Sequence, residues 1–523
     1  MPLPLSVLVL LLLLVGFFAY SFIVHPWRVS PLARLPVPHW SCRLSSVWIL
    51  RARKNGAENA ALRAAHRRLG NIVRVGPDTV SVDGVDAMRA IYQGGFPKAP
   101  WYRVFDNYGV PCMFSTIGSR EHSKRKRMIS NVYSKSYIMN SEAAKAQSRV
   151  ILLDRLLPLL NSEAARNHPE GTEVQSLFMA TTMDLISAYI FGLRHSTNFL
   201  QDKAYRDHWL SLYLSRHHHH FWPQELPSIT AFLQRLGIRL YPSFVDRAND
   251  ELRAWNQSMC EKAGHSYSNA AEDADPANTP VVFAAMQQGI RKEEKSAGAA
   301  SILYSTAIQQ RDASVASEIL DQVLAGHETA GIVLTYAAWH LSKSPALQEQ
   351  LRQELLPLLS RNAANLPDVK QLDDLPLLDS IVMETLRQHA PIPGPQPRHT
   401  PSSGCHIEGF FIPGGVRIAS MAHTLHRNED VFCSPETWDP SRWLQSGNRD
   451  AMKRHFWAFG SGGRMCIGSN FALQEMKLVL AVIYANFTTT VVDDGGMEQT
   501  DGYSARPKAD QLFLRFRTGP ETV

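Results

Sequence analysis

The sequence predicts a mainly α-helical globule with a smaller β-rich portion, preceded by one N-terminal transmembrane helix. Three observations predict it. Leu3 to Val24 is almost unbroken apolar sequence; a mainly helical pattern then runs from the eighties to about residue 390; and short β-rich runs bounded by Gly and Pro lie on either side of that stretch.

The apolar run reaches the length of about 20 helical residues that a hydrocarbon core requires. A cleaved secretory signal is the rival reading, with Ala19-Tyr20-Ser21 as a small-x-small site, but no Lys or Arg precedes the run. Arg28, Arg34, Arg43, Arg51, Arg53 and Lys54 all follow it, which retains the body of the chain on the cytoplasmic side. Residues 1–27 are therefore expected to be a membrane anchor, 28–54 a basic linker stiffened by Leu35-Pro36-Val37-Pro38, and 55–523 the globule.

Ile72-Val73-Arg74-Val75 and Val80-Ser81-Val82 flank Gly76-Pro77-Asp78-Thr79, a strand-turn-strand signal. Gly264 to Pro280 is polar and proline-containing and predicts a surface loop. Beyond Pro391, strands are expected at Phe410–Ile412, Val416–Ile418 and Leu512–Phe516, and a helix at about Phe471–Tyr484. The β-rich portion is thus drawn from both ends of the globule.

The 523 residues are 45% hydrophobic and 20% charged, an ordinary globular balance. A net charge of +6, with no arginine-rich block interleaved with aromatics, argues against nucleic-acid binding. The six cysteines are scattered without a C-x-x-C pair, so neither a zinc site nor a disulfide framework is indicated. Arg216-His217-His218-His219-His220 lacks accompanying Cys, Asp or Glu at ligand spacing and predicts an exposed polar loop rather than a metal site.

Phe459-Gly460-Ser461-Gly462-Gly463-Arg464-Met465-Cys466-Ile467-Gly468 leads directly into the predicted C-terminal helix. Its glycines permit a tight turn and close approach of a flat ligand. Cys466 sits at the helix start, where peptide N–H groups favour a thiolate, and Arg464 supplies a cation suited to a carboxylate. Phe459, Gly462, Arg464, Cys466 and Gly468 satisfy F-x-x-G-x-R-x-C-x-G, which resembles the haem-binding signature of the cytochrome P450 family. That resemblance implies a cytochrome P450-like fold, haem b (iron protoporphyrin IX) as cofactor and Cys466 as axial ligand of its iron.

Further motifs follow in the family's order. Ala325-Gly326-His327-Glu328-Thr329 lies in a helical stretch, Ala316 to Leu341, with Ala325 and Thr329 one turn apart on one face and Gly326 beside them. Its similarity to A-G-x-[DE]-T implies that Thr329 and Glu328 deliver protons to dioxygen and that Ala325 and Gly326 border the cofactor. Glu384 and Arg387 form E-x-x-R at i, i+3. Pro440-Ser441-Arg442-Trp443 resembles P-x-R-[FW], implying a buried structural network of Glu384, Arg387 and Arg442. Arg398, after Pro391-Ile392-Pro393-Gly394-Pro395, is expected at a haem propionate by the same resemblance. In His122-Ser123-Lys124-Arg125-Lys126-Arg127 the family's spacing leaves open which of His122, Arg125 and Lys126 contacts the haem; Lys124 and Arg127 are read as a solvated face.

Arg74-Val75-Gly76-Pro77 and Phe96-Pro97-Lys98-Ala99-Pro100-Trp101-Tyr102 look like fungal microsomal members of specialised metabolism. The resemblance implies a single-pass enzyme of the endoplasmic reticulum membrane that inserts one oxygen atom from O2 into a lipophilic small molecule. Electrons would come from NADPH through cytochrome P450 reductase, with a cytochrome of type b as a further donor. A haem-thiolate isomerase or dehydratase, and a non-catalytic haem sensor, are the alternatives.

Overall fold

The computed structural model describes residues 5–268, 275–358, 366–445 and 447–519. Leu5–Ala19 (α1) is helical, and the winding continues through Tyr20–Val29. These 25 residues are long and apolar enough to cross a membrane, and no residue of α1 is buried. Val174–Phe191 is comparably apolar, but it is almost wholly buried and forms the centre of the globule.

The helices that position the site are Ser119–Ile129 (α2), Val174–Phe191 (α3), Lys203–His218 (α4), Ser243–Ser268 (α5), Val281–Ala297 (α6), Arg311–Ser342 (α7), Pro376–Gln388 (α8) and Ser469–Asn486 (α9). The 32-residue α7 runs through the main hydrophobic core with α3 and α9 packed against it. Small residues set the α3–α7 spacing. A Cβ on Gly331 would lie 3.2 Å from the Met179 backbone, and the Thr182 hydroxyl donates across the contact to the His327 carbonyl at 2.6 Å. The polar loop expected from Gly264 begins later than predicted, because α5 persists to Ser268; residues 269–274 lie outside the described residues.

The strands are Ile72–Gly76 (β1), Thr79–Val82 (β2), Thr172–Glu173 (β3), Arg398–His399 (β4), Cys405–Ile407 (β5), Phe410–Ile412 (β6), Arg417–Ala419 (β7), Phe487–Asp493 (β8) and Phe513–Thr518 (β9). One sheet has the order β1-β2-β7-β4, with β2 parallel to β7 through Val80↔Ile418 and β4 antiparallel to β7 through Arg398↔Ile418. Strands from both ends of the globule therefore meet, as expected, and the register fixes Arg398. A second sheet is ordered β3-β9-β8, and β5–β6 form a hairpin.

Residues 28–54 do not stand free as a spacer. Leu32 and Leu35 are buried in the cluster that contains Ile72, Val80 and Ile418. Arg74, fully buried, donates to the carbonyls of Pro26 (2.8 Å), Arg43 (3.3 Å), Gly76 (3.1 Å) and Pro77 (2.7 Å), clamping the post-anchor segment onto the sheet.

Candidate active site

The cysteine loop is shaped by its glycines. Gly462 has φ +72°, and a Cβ there would meet the Tyr92 carbonyl at 2.2 Å, so no other residue fits without moving backbone. Cys466 N–H donates to the Phe459 carbonyl at 2.9 Å and closes the loop, and Gly468 starts α9. Cys466 is surrounded by the fold, but its side chain remains exposed. Burial raises its thiol pKa; the Gly468 and Ser469 N–H groups and the Lys126 ammonium oppose that shift. Coordination to a metal would reverse the balance, since a ligating thiol is deprotonated outright.

Lys98, Lys126, Arg398 and Arg464 form a cationic group near the loop, with the imidazole of His122 among them. His122 is pushed down to about 3 by burial, then by Arg464, Lys98, Lys126 and Arg398. Burial depresses Lys98 well below its usual value, with Arg398 and Arg464 adding to it. Their contacts are neutral acceptors and rings. Arg464 donates to the carbonyls of Thr116 and Ile117 (2.6 Å each), and Arg398 to Tyr102 Oη (3.1 Å) and the Pro397 carbonyl (3.0 Å). Lys98 donates to the Phe114 carbonyl and stands over the Tyr102 and Phe114 rings. Among the described residues none of the five has an acidic ion-pair partner. A buried cluster of unneutralised cations beside a cysteine at a helix start fits a planar iron ligand with two carboxylates. The donor set thus suits haem.

The three α2 candidates separate. His122 faces the cationic group; Lys126 donates to the carbonyls of Gly463 (3.1 Å) and Met465 (2.9 Å), supporting the cysteine loop. Arg125, another of the three candidates, donates to Ser314 Oγ (3.0 Å) and Thr306 Oγ1 (2.8 Å) and ties α2 to α7. Lys124, read as solvated, pairs with Glu293 of α6.

On α7, Ala325 and Thr329 line a cavity of about 1510 Å3 together with Phe114, Leu320 and Leu324. Thr329 Oγ1 donates to the Ala325 carbonyl at 2.8 Å. At Gly326, expected to border the cofactor, a Cβ would lie 2.6 Å from Ile186 Cγ1, so the glycine also permits the close α3–α7 contact. Glu328 also lines the cavity and is 3% exposed. Its Oε2 accepts from the Tyr213 hydroxyl at 2.6 Å, while Oε1 faces His217 Nε2 (3.4 Å) and Arg506 Nε (3.5 Å). Burial raises its pKa, but His217, Arg506 and Tyr213 outweigh that and hold the carboxylate ionised. No hydrogen bond joins Glu328 to Thr329 among the described residues.

Glu384, Arg387 and Arg442 meet at 0%, 0% and 9% exposure. Arg387 grips Glu384 with Nε (2.8 Å) and Nη2 (2.7 Å), and Arg442 Nε donates at 3.0 Å. The Trp443 indole (2.9 Å) and the Asp439 N–H (2.9 Å) complete the carboxylate's shell. His426 Nδ1 donates to the Arg387 carbonyl at 2.8 Å, and His426 Nε2 accepts from the Trp457 N–H at 2.8 Å. The network therefore reaches the chain two residues before Phe459.

The family model of cytochrome P450 matches residues 36–512. The chain belongs to the cytochrome P450 family. It is 28% identical to the cytochrome P450 monooxygenase avaI of Aspergillus versicolor, over 78% of this chain and 93% of that one. It is 24% identical to the cytochrome P450 monooxygenase gsfF of Penicillium aethiopicum, over 94% and 95%. To the cytochrome P450 monooxygenase aflV of Aspergillus parasiticus it is 26% identical, over 87% and 84%.

Several residues of this P450 site escape sequence reasoning. Lys98 sits in an aromatic, proline-rich segment that marks it only by that context. His426 and Trp457 carry no motif. The Arg216–His220 run is not an exposed loop: Arg216 to His218 are the end of α4, all five residues line the cavity, and His217 faces Glu328. Only the Glu328–His217 juxtaposition reveals this, and it spans more than a hundred residues of sequence.

Proposed function

We propose that the chain is a membrane-anchored haem-thiolate monooxygenase inserting one atom of O2 into a lipophilic small molecule in fungal secondary-metabolite biosynthesis. The observation that carries it is the Cys466 loop facing a buried cationic group without carboxylate partners, beside a cavity edged by Thr329. Cys466 would ligate the haem iron, and Arg464, Arg398, His122 and Lys98 would meet the propionates. The haem, when bound, supplies an electron-rich iron at which dioxygen is reduced and cleaved.

The protein's own groups orient and protonate. The Thr329 hydroxyl, released from the Ala325 carbonyl, donates a proton into the cavity. Glu328, held ionised against Tyr213 and His217, collects replacement protons from the His217 side. Leu320, Leu324 and Phe114 exclude water and accept apolar substrate. Electrons derive from NADPH through the flavoprotein reductase, with a cytochrome of type b as second donor. A surface groove beside Ser461 bearing Arg89, Lys453 and Arg454 supports docking of an acidic donor there. The exposed α1 and the basic residues after it favour an endoplasmic reticulum anchor with a cytosolic body.

Cys466→Ala tests the reading. Reduced wild-type protein should show the thiolate-type Soret shift with carbon monoxide, and the variant should lose it; an unchanged spectrum overturns the assignment. Product formation without O2 or NADPH would favour an isomerase or dehydratase instead.

A further inference from the structure

Arg216, in the last turn of α4, lines the same cavity as Ala325 and Thr329. Its guanidinium is a permanent cation. Seven arginines line this cavity, and six have carboxylate partners. Arg53 pairs with Glu58 and Glu225, Arg63 and Arg427 with Glu436, Arg67 with Glu429, Arg253 with Asp250, and Arg506 with Glu328 and Asp510. Arg216 alone has neither an ion pair nor a hydrogen bond among the described residues.

Glu328 is already engaged by Tyr213, His217 and Arg506 and stays beyond ion-pair reach of Arg216. Burial depresses the Arg216 pKa and the Arg253 guanidinium of α5 adds to that, and the opposing pulls of Tyr213 and Glu328 do not offset them. An unpaired, half-buried cation with like charge beside it is costly unless something anionic arrives. Beside charged and polar side chains such as Asp106, Asp321 and Lys508, the cavity wall carries an apolar set of Phe105, Phe114, Leu252, Leu320 and Leu324.

We propose that Arg216 binds a carboxylate of the substrate, so that the lipophilic molecule oxidised in this cavity is an organic acid. The inference rests on the monooxygenase reading of the cavity and names its substrate class. A guanidinium grips a carboxylate through two parallel N–H bonds, which neither an ester nor an alcohol can replace. Held there, the apolar body of the acid extends along the Leu and Phe wall that also carries Thr329. Arg216 is in this sense a specificity-determining residue.

The test uses the haem-loaded full chain in detergent at neutral pH and follows the substrate-induced spin-state shift. The probes are dodecanoate and naphthylacetate, each paired with its methyl ester. Wild type should bind at least one acid about tenfold or more tightly than its ester, with the preference weakening at high salt. Arg216→Gln should erase the preference while leaving ester affinity within about twofold, and Arg216→Lys should retain part of it. Equal affinity for acid and ester in both pairs, no binding of either acid, or a preference that survives Arg216→Gln overturns the proposal. The carbon monoxide Soret shift is read in parallel. Its presence in wild type with no acid preference sinks the Arg216 assignment alone, whereas its absence removes the haem-thiolate reading and this inference together. If Arg216→Gln does not fold, Arg216→Lys and the wild-type acid–ester comparison decide.

Discussion

Replacing Glu384 by alanine removes the acceptor of five hydrogen bonds and strands two buried guanidinium groups. Arg387 is fully buried and loses both charge-assisted bonds to Glu384; Arg442, at 9% exposure, loses one. Breaking a buried ion pair by deleting one partner costs about 3–5 kcal/mol. Leaving the Trp443 indole and the Asp439 N–H without acceptors adds about 1–3 kcal/mol each where water cannot reach them. The sum is a large share of the roughly 5–15 kcal/mol by which a typical domain is stable. The damage is also aimed at the cofactor, because the Arg387 carbonyl orients His426, which holds the Trp457 N–H ahead of the cysteine loop. Glu384→Ala should therefore yield little folded protein, with haem content per chain far below wild type and a sharply lowered urea midpoint. Glu142→Ala is the control. It breaks only the exposed Lys145–Glu142 pair and should stay within about 0.5 kcal/mol of wild type. A Glu384→Ala protein with wild-type haem loading and midpoint would refute the argument that this network supports the site.

Gly462→Ala places a Cβ 2.2 Å from the Tyr92 carbonyl at a left-handed φ, so the loop must shift; haem retention on gel filtration should drop, and full retention would contradict the close approach. Thr329→Ala removes the hydroxyl proposed to deliver protons and should raise peroxide released per NADPH consumed, while unchanged coupling would count against that role. A pH prediction follows from His426, whose pKa burial and then Arg387 and Arg427 push down to about 3. The unfolded chain protonates this imidazole near 6.5, the folded protein only near 3, so the unfolded state binds more protons in between. Stability contributed by neutral His426 is full above 6.5 and is lost as pH falls toward 3, by up to about 1.4 kcal/mol per pH unit. Urea midpoints at pH 7 and 5 should show a shallower decline in His426→Asn than in wild type, and identical slopes would sink the assignment.

Much of the molecule is legible without coordinates because its causes are local. An apolar run of membrane length, the 3.6-residue period of the Ala316–Leu341 stretch, the breaker cluster at Gly76–Thr79 and the glycines ahead of Cys466 act within a few residues of themselves. The resulting elements lie within a few residues of where periodicity places them. The pairing of Glu384 with Arg387 is likewise local, being one helical turn. Its remaining shell, Arg442, Trp443 and the Asp439 N–H, comes from more than fifty residues away, and only the family's motif order connected Arg442 to it.

Direction is what local pattern leaves undetermined. His122, Arg125 and Lys126 lie within little more than one turn of α2, and their composition does not distinguish them. The packing of α2 on α6 lets Arg125 reach Ser314 of α7 and leaves His122 toward the cationic group. Gly326 and Thr329 are three residues apart on α7, yet Ile186 claims the space beside the glycine while the threonine lines the cavity. The sequence by itself determined the elements, the cysteine loop and the long apolar N-terminal helix, since backbone conformation and burial periodicity are written in neighbouring residues. Only the tertiary structure decided which side chains meet: Glu328 with Tyr213, His217 and Arg506, His426 with Trp457, and Arg216 with no carboxylate among the described residues. Those encounters join residues far apart in the chain, and close packing of side chains between helices selects them.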